Sequence, residues 1–177
     1  AQIQAVLDSS ADMFACGIGA PADVIQQAKQ RGKTTVALIG SPHHVQRAIG
    51  AGVEILVAQG YDAGAHTGPI GTYSLVPQIV DAAGDVPVLV AGGVATGRHI
   101  AAGLAMGAAG VWLGTAWLLS QEHQGHMHPV NTEKLKAAGS GDTVITRSES
   151  GKTFRQVRSG WSQAWEAENA PAPLKMP

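Results

Sequence analysis

The chain has little of several features that would place it in other protein classes. One cysteine, Cys16, among 177 residues excludes an internal disulfide and is typical of a reducing compartment. Charged residues make up 14% and the net charge is −1, so no basic surface predicts nucleic acid or an anionic membrane as a partner. No apolar run is long enough to span a bilayer, and residues 1–10 lack the basic start of a signal peptide. The sequence therefore predicts a cytoplasmic location.

Aromatic residues are also scarce, at 5%, whereas glycine is abundant, with 23 residues. Because 45% of the residues are hydrophobic, the composition is not that of a disordered chain. Small residues allow helices to pack closely on a sheet, and they allow the backbone to approach a ligand. The length suits one domain with a sizeable core.

Five short apolar runs alternate with amphipathic segments along the first two thirds of the chain. Apolar strands separated by helices predict a parallel sheet with right-handed crossovers. Polar and glycine-rich residues follow the strands, where the active sites of barrels are built, which favours a barrel over an open sheet. The predicted strands are 12–16, 34–39, 54–58, 87–91 and 109–113, and the helices are 21–31, 42–49, 73–83 and 97–106 with Thr96 as N-cap.

An eight-stranded TIM barrel takes about 250 residues. We therefore expect an α/β TIM (β/α)8 barrel truncated to its last five βα units, strands 4 to 8. Residues 1–120 are predicted to form this partial barrel. Residues 121–177 are predicted to be a C-terminal extension packed on it within a single domain, with helices near 132–138 and 161–169 and an irregular segment at 140–160. An open barrel edge predicts self-association.

Glycine-containing pairs follow the last two predicted strands. Gly92-Gly93 and Gly114-Thr115 can present backbone N–H groups to an anion, and a short helix near Thr115 would direct its positive end there. Loops after strands seven and eight form the usual phosphate site of a barrel. Paired glycines are also ordinary βα turns, but two such pairs on adjacent strands favour phosphate binding.

The segment 58–68, AQGYDAGAHTG, follows the third predicted strand. Gln59 stands at the strand end, where its amide could meet a donor–acceptor edge such as a flavin ring. His66 lies on a loop freed by three glycines and is a candidate base for a carbon-bound proton, because imidazole exchanges protons near neutral pH. A packed loop histidine is the plainer alternative. Asp62 is expected to orient the loop.

The other reactive side chains predict neither a nucleophilic catalyst nor a metal site. No serine or cysteine has an obvious basic partner in the sequence, so nucleophilic catalysis is not predicted, and Cys16 is expected in the core. His123, His126 and His128 do not match the spacing of a structural metal site. We expect a surface loop there and no metal.

In combination these motifs resemble the nitronate monooxygenase family, which are FMN-dependent barrel enzymes. The family hallmark AQGxEAGGH is similar to residues 58–66, AQGYDAGAH, with Asp62 in place of Glu and Ala65 in place of Gly. The family's glycine pair after strand seven and its Gly-Thr after strand eight match residues 92–93 and 114–115. The segment from 142–146 through 151–155 is similar to its C-terminal pattern.

The resemblance implies an oxidoreductase that converts alkyl nitronates or nitroalkanes and O2 to a carbonyl compound and nitrite. His66 would be the base that deprotonates the neutral nitroalkane. The expected partners of the enzyme are this small substrate and O2. Neither nucleic acid nor a membrane is expected as a partner. The implied FMN contacts are Gln59, Gly60, Gly64, Ala65, Gly92, Gly93, Gly114 and Thr115.

Two alternatives stay open at this point. An FMN-dependent enoyl-carrier-protein reductase shares the glycine–histidine loop. A non-catalytic half-barrel fragment that binds a phosphate ligand belongs to another functional class, and the five-strand count favours it.

Overall fold

A computed structural model describes residues 2–17, 19, 21–123, 125–147, 150–170 and 172. The chain divides into two compact units, one of Ala1–Tyr61 with Pro69–Trp112 and the other of Asp62–Gly68 with Leu113–Pro177. The domain division at residue 120 stays a prediction. Among the described residues, no helix has both the length and the hydropathy that a bilayer span requires.

The strands occur in two sheets, one in each unit. The first unit holds a five-stranded parallel sheet of order β1-β2-β3-β5-β6, and the second an antiparallel sheet of order β4-β8-β7. The strands are β1 (Met13–Cys16), β2 (Thr34–Ile39), β3 (Ile55–Gln59), β4 (Ala65–His66), β5 (Val88–Ala91), β6 (Gly110–Val111), β7 (Thr143–Thr146) and β8 (Phe154–Val157).

Helices separate the parallel strands, as the alternating pattern predicts. The α-helices are α1 (Gln2–Leu7), α2 (Ala22–Gln30), α3 (Val45–Ala51), α4 (Thr72–Ala83), α5 (Gly97–Ala105), α6 (Pro129–Ala137) and α7 (Gly160–Trp165). Thr96 is the N-cap of α5, and its backbone N–H donates to His99 Nδ1 at 3.2 Å. All five predicted strands are confirmed, and β6 is the shortest because only two of its residues join the ladder.

Both faces of the parallel sheet contain buried residues. Leu56 and Ala58 pack with Leu75 of α4 in the main core, while the alternate residues Val36 and Val57 form a second cluster with Ala91. Because successive strand residues point to opposite faces, a sheet covered on both faces needs continuous apolar runs rather than alternation.

Polar groups tie the amino end of this sheet together. The fully buried Thr35 hydroxyl lies 3.0 Å from the Gly52 carbonyl and 3.0 Å from Glu54 Oε2, which also accepts the Thr35 N–H. Lys33, 6% exposed, donates to the carbonyls of Ser9 and Ala11 at 2.8 and 2.7 Å. The buried side chains of Thr35 and Lys33 therefore both have hydrogen-bond partners, as stability requires.

The second unit differs from the prediction at residues 140–160. This segment contains two strands, β7 and β8, which pair antiparallel, and β4 pairs with β8 as a third strand. The β-branched run 143–146 is a strand signal, but at four residues it is too short to establish an alternation. The last helix, α7, is also shorter than predicted and ends at Trp165.

Candidate functional site

The carboxyl ends of β3 and β5 lie side by side in the first unit. Gln59, the last residue of β3, pairs in register with Ala91, the last residue of β5, and its side chain is half-buried. The structure therefore brings Gln59 next to the turn that begins at Gly92. This is the adjacency that the sequence predicts for neighbouring parallel strands.

Gly60 is required by packing. A Cβ on Gly60 would overlap with the hydroxyl and backbone of Thr72, the first residue of α4. The Gly60 N–H donates to the Ala91 carbonyl at 3.0 Å, and the Thr72 hydroxyl donates to the Gly92 carbonyl at 3.1 Å. These contacts lock the ends of β3 and β5 to the start of α4.

Gly92 and Gly93 both have left-handed backbones, with φ values of 107° and 72°. A residue with a Cβ would adopt such a conformation at a cost of about 1–2 kcal/mol each. The turn after β5 therefore depends on two consecutive glycines. It leaves this stretch of backbone without side chains at the carboxyl edge of the sheet.

In the second unit, the loop of residues 62–68, here called the histidine loop, contacts Thr115. A Cβ on Gly64 would lie 2.8 Å from Thr115 Oγ1, so only glycine permits this approach without displacement. Gly114 precedes a five-residue 3-10 helix at Thr115–Leu119, which is the short helix predicted near Thr115. A Cβ on Gly114 would meet nothing within 4 Å, so packing does not explain this glycine.

His66 is held on two sides. In the β4–β8 pair it lies opposite Phe154, with ring centroids 5.0 Å apart in an edge arrangement. Its Nε2 lies 2.7 Å from the hydroxyl of Ser150, which is 7% exposed. The imidazole itself is half-buried. These contacts fix the ring orientation, which a general base requires.

Ser150 is a contact of His66 that is not among the candidate residues predicted from the sequence. The prediction that no serine has a basic partner is wrong, because the hydroxyl of Ser150 contacts His66 across 84 positions of sequence. No short sequence motif contains both residues. The similarity of 151–155 to the family's C-terminal pattern was the one signal near Ser150.

Two features of the histidine loop are energetically unfavourable. Ala65, with φ of 68°, is the only non-glycine residue with positive φ in the described part of the chain. Thr67 Oγ1 is the only buried side-chain polar atom without a hydrogen-bond partner among the described residues. The first costs about 1–2 kcal/mol and the second about 1–3 kcal/mol.

The remaining candidate residues have surroundings of their own. Burial raises the pKa of the half-buried Cys16 thiol. The rings of His123 and His126 are 6.0 Å apart, and His128 Nδ1 accepts the Val130 N–H at the start of α6. Over the residues that the structure describes, no group of three or more His, Cys, Asp or Glu side chains could hold a metal ion.

Comparison with known proteins gives consistent results. The model of the nitronate monooxygenase family matches residues 1–177. A predicted monooxygenase of Mycobacterium tuberculosis is 46% identical over 157 residues, which are 89% of this chain and 41% of that protein. The structure of FabK from Thermotoga maritima matches with a TM-score of 0.85 and 30% identity, over 94% of this chain and 54% of that one.

A second solved structure, the nitroalkane oxidase from Streptomyces ansochromogenes, matches with a TM-score of 0.82 and 29% identity, over 92% of this chain and 49% of that one. The chain spans 38% to 47% of the length of three curated relatives. Together with the consecutive parallel βα units, the structural matches show the α/β fold of a TIM barrel, of which the chain carries five strands.

Proposed function

The chain belongs to the nitronate monooxygenase family, and on this premise we propose that it serves the FMN-dependent oxidation of alkyl nitronates and of neutral nitroalkanes by O2 to a carbonyl compound and nitrite. The observation that carries the proposal is the imidazole of His66, held between Phe154 and Ser150 in the loop that follows the Gln59 strand end. Nitroalkane oxidation needs a positioned base, because the proton to be removed is bound to carbon.

The residues present fit a flavin mononucleotide. Gly114 has no packing reason to lack a side chain, and the left-handed turn at Gly92 and Gly93 leaves the backbone bare. At each of these two places the bare backbone N–H groups could hydrogen-bond to a phosphate group. Bound FMN would supply the electron acceptor for the nitronate. The residues that we propose hold it are Gln59, Gly60, Gly64, Ala65, Gly92, Gly93, Gly114 and Thr115.

The role proposed for His66 is to take the α-proton of a neutral nitroalkane. A preformed nitronate has already lost this proton, so it would not need the base. The hydroxyl of Ser150 both donates and accepts hydrogen bonds, and it can therefore stay paired with Nε2 as the imidazole gains and loses a proton. Ser150 is thus proposed as a positioning residue for His66.

The test begins with the purified chain mixed with FMN and freed of excess ligand. We expect a retained flavin spectrum and oxygen-dependent release of nitrite from ethyl nitronate. A protein that stays colourless would contradict the proposal and favour the non-catalytic, phosphate-binding half-barrel. Anaerobic bleaching by NAD(P)H, followed by turnover of an enoyl thioester and not of nitronate, would instead favour the enoyl-carrier-protein reductase.

Two further properties are proposed with this function. A cytoplasmic location fits the single cysteine, and cell fractionation tests it. Self-association through an open barrel edge fits the edge positions of β1 and β6. Sedimentation at rising protein concentration tests it, and an unchanged monomer mass would contradict it.

A further inference from the structure

The side chain of His99 holds the backbone at the beginning of α5. His99 is the third residue of this helix, and its Nδ1 accepts the N–H of the N-cap Thr96 at 3.2 Å and the N–H of Ala95 at 3.1 Å. Glutamate or glutamine usually makes such a contact from the third position of a helix. One nitrogen of a histidine therefore fixes two consecutive backbone N–H groups ahead of the helix.

These contacts also define which ring nitrogen carries the proton. A nitrogen that accepts a hydrogen bond from a backbone N–H has no proton of its own, so the proton of the neutral imidazole is on Nε2. The Thr96 hydroxyl, 3.3 Å from Nδ1, can then only donate to it. His99 thus acts in the fold as a hydrogen-bond acceptor, and an amide oxygen at the same position could replace it.

The two N–H groups that His99 accepts belong to the turn of residues 92–96, here called the glycine turn. The beginning of the glycine turn is fixed by Thr72, whose hydroxyl donates to the Gly92 carbonyl at 3.1 Å. Its middle is fixed by Val94, which packs against the main core. Because glycine backbone has many accessible conformations, a turn that contains two of them keeps one conformation only where its neighbours hold it. His99 supplies this restraint at the end of the turn.

The N–H groups of the glycine turn therefore have two different roles. Those of Ala95 and Thr96 donate to His99. The residues for which a phosphate contact is proposed above are Gly92 and Gly93, which have left-handed backbones and no Cβ. The imidazole thus holds the part of the turn that adjoins the proposed contact.

We propose that His99 is a positioning residue for the phosphate group of FMN. By accepting the two N–H groups, it holds Gly92 and Gly93 in the conformation that binds the phosphate, and it does not touch the ligand itself. This inference rests on the proposed function. A binding loop that is held beforehand in its bound conformation binds more tightly, because no free energy is spent on ordering it when the ligand binds.

A comparison of FMN with riboflavin, which has the same ring system and no phosphate group, tests this role. The His99 side chain is exposed, so His99→Ala removes the acceptor and leaves the core intact. The loss of the cap should lower the melting temperature by about 2–4 °C. The dissociation constant for FMN, measured by quenching of flavin fluorescence, should rise roughly 10-fold, whereas that for riboflavin should change by less than about 2-fold.

Two further variants separate positioning from helix capping alone. His99→Gln keeps an acceptor that can reach the N-cap N–H, and it should bring the dissociation constant for FMN to within about 3-fold of wild type. His128→Ala is the matched control, because His128 Nδ1 also accepts a backbone N–H at the start of a helix, that of Val130 at 3.3 Å. It should lower the melting temperature and leave the ratio of the two dissociation constants unchanged.

The outcomes distinguish this inference from the function on which it rests. A wild-type chain that binds neither flavin would remove the proposed function, and the inference with it. A wild-type chain that binds FMN no more tightly than riboflavin would overturn the inference and leave flavin binding in place. Where wild type prefers FMN, an unchanged preference in His99→Ala would overturn the inference alone. The same holds if His99→Gln loses as much affinity for FMN as His99→Ala does.

Discussion

Two threonines with buried hydroxyl groups show how differently the two units use polar groups. The hydroxyl of Thr35, at the amino end of the parallel sheet, lies 3.0 Å from both the Gly52 carbonyl and Glu54 Oε2. The hydroxyl of Thr67, next to the proposed base, has no partner among the described residues. In barrels the amino ends of the strands serve stability and the loops at the carboxyl ends serve chemistry. Thr35, at the amino end of the sheet, and Thr67, in the loop that follows β3, differ in the way that this division of roles predicts.

The largest effect that we predict tests the packing at the strand ends. Gly60→Ala should destabilise the chain by about 3 kcal/mol, because its methyl group would overlap with the backbone of Thr72, which cannot move without shifting α4. The midpoint of urea unfolding measures this loss. Gly97→Ala is the control, since a Cβ there meets nothing within 4 Å and φ is negative. Equal midpoints for the two variants would contradict the account of Gly60.

Thr35→Val should have the next largest effect. The substitution leaves the Gly52 carbonyl and one Glu54 contact without their donor, which should cost about 2 kcal/mol of unfolding free energy. Thr67→Val should cost nothing in the flavin-free chain. Equal losses of unfolding free energy in the two variants, measured by urea unfolding, would contradict the difference proposed between the two threonines.

Ser150→Ala should cost about 1 kcal/mol of stability, because it removes a buried partner of the His66 ring. A merely structural serine would affect turnover of all substrates alike. A positioning serine should lower the rate with a neutral nitroalkane and shift its pH profile, while oxidation of preformed nitronate is retained. Ser150→Thr keeps the hydroxyl and should restore part of the nitroalkane rate.

The smallest effect concerns Glu54. Hydrogen bonds from the Thr35 backbone and hydroxyl, with the nearby Lys29, lower the pKa of Glu54 below its ordinary 4.5. A carboxyl with a lowered folded-state pKa stabilises the protein above its unfolded value and loses that contribution as the pH falls through the folded value. Between pH 7 and 5 the contribution should be constant, and below about 4.5 it should decline.

Glu54→Gln isolates this contribution. The variant should unfold more easily than wild type at pH 7, and the difference should shrink as the pH falls below about 4.5. Because the Glu54 side chain is 45% exposed, solvent screening keeps the difference small. Thermal melts of both proteins from pH 7 to pH 3 measure it. A difference that grew toward low pH would show that the carboxyl is not stabilised in the folded state.

The parallel sheet could be predicted because its signals are local. Each predicted strand is a largely apolar run that is followed within two residues by glycine, and the five predicted strands all occur. The antiparallel pair of β7 and β8 could not be predicted, since its four-residue strands are mostly half-buried and are stabilised by pairing rather than by burial. Short strands of this kind depend on partners that sequence does not reveal.

The candidate site was predictable only in part. The family pattern around His66 and the glycine-containing pairs indicated the candidate residues, which remain predictions. Ser150 was missed because its contact with His66 joins distant parts of the chain. The strain at Ala65 and the unpaired hydroxyl of Thr67 depend on backbone angles and burial, which no residue type specifies.

Nitrite release by His66→Asn tests the central claim most directly, with nitroethane and ethyl nitronate compared in FMN-loaded protein. The account predicts that the rate with nitroethane falls by roughly 100-fold or more, while the rate with ethyl nitronate stays within a few-fold of wild type. Retained flavin with an undiminished nitroethane rate would contradict the assignment of His66 as the base.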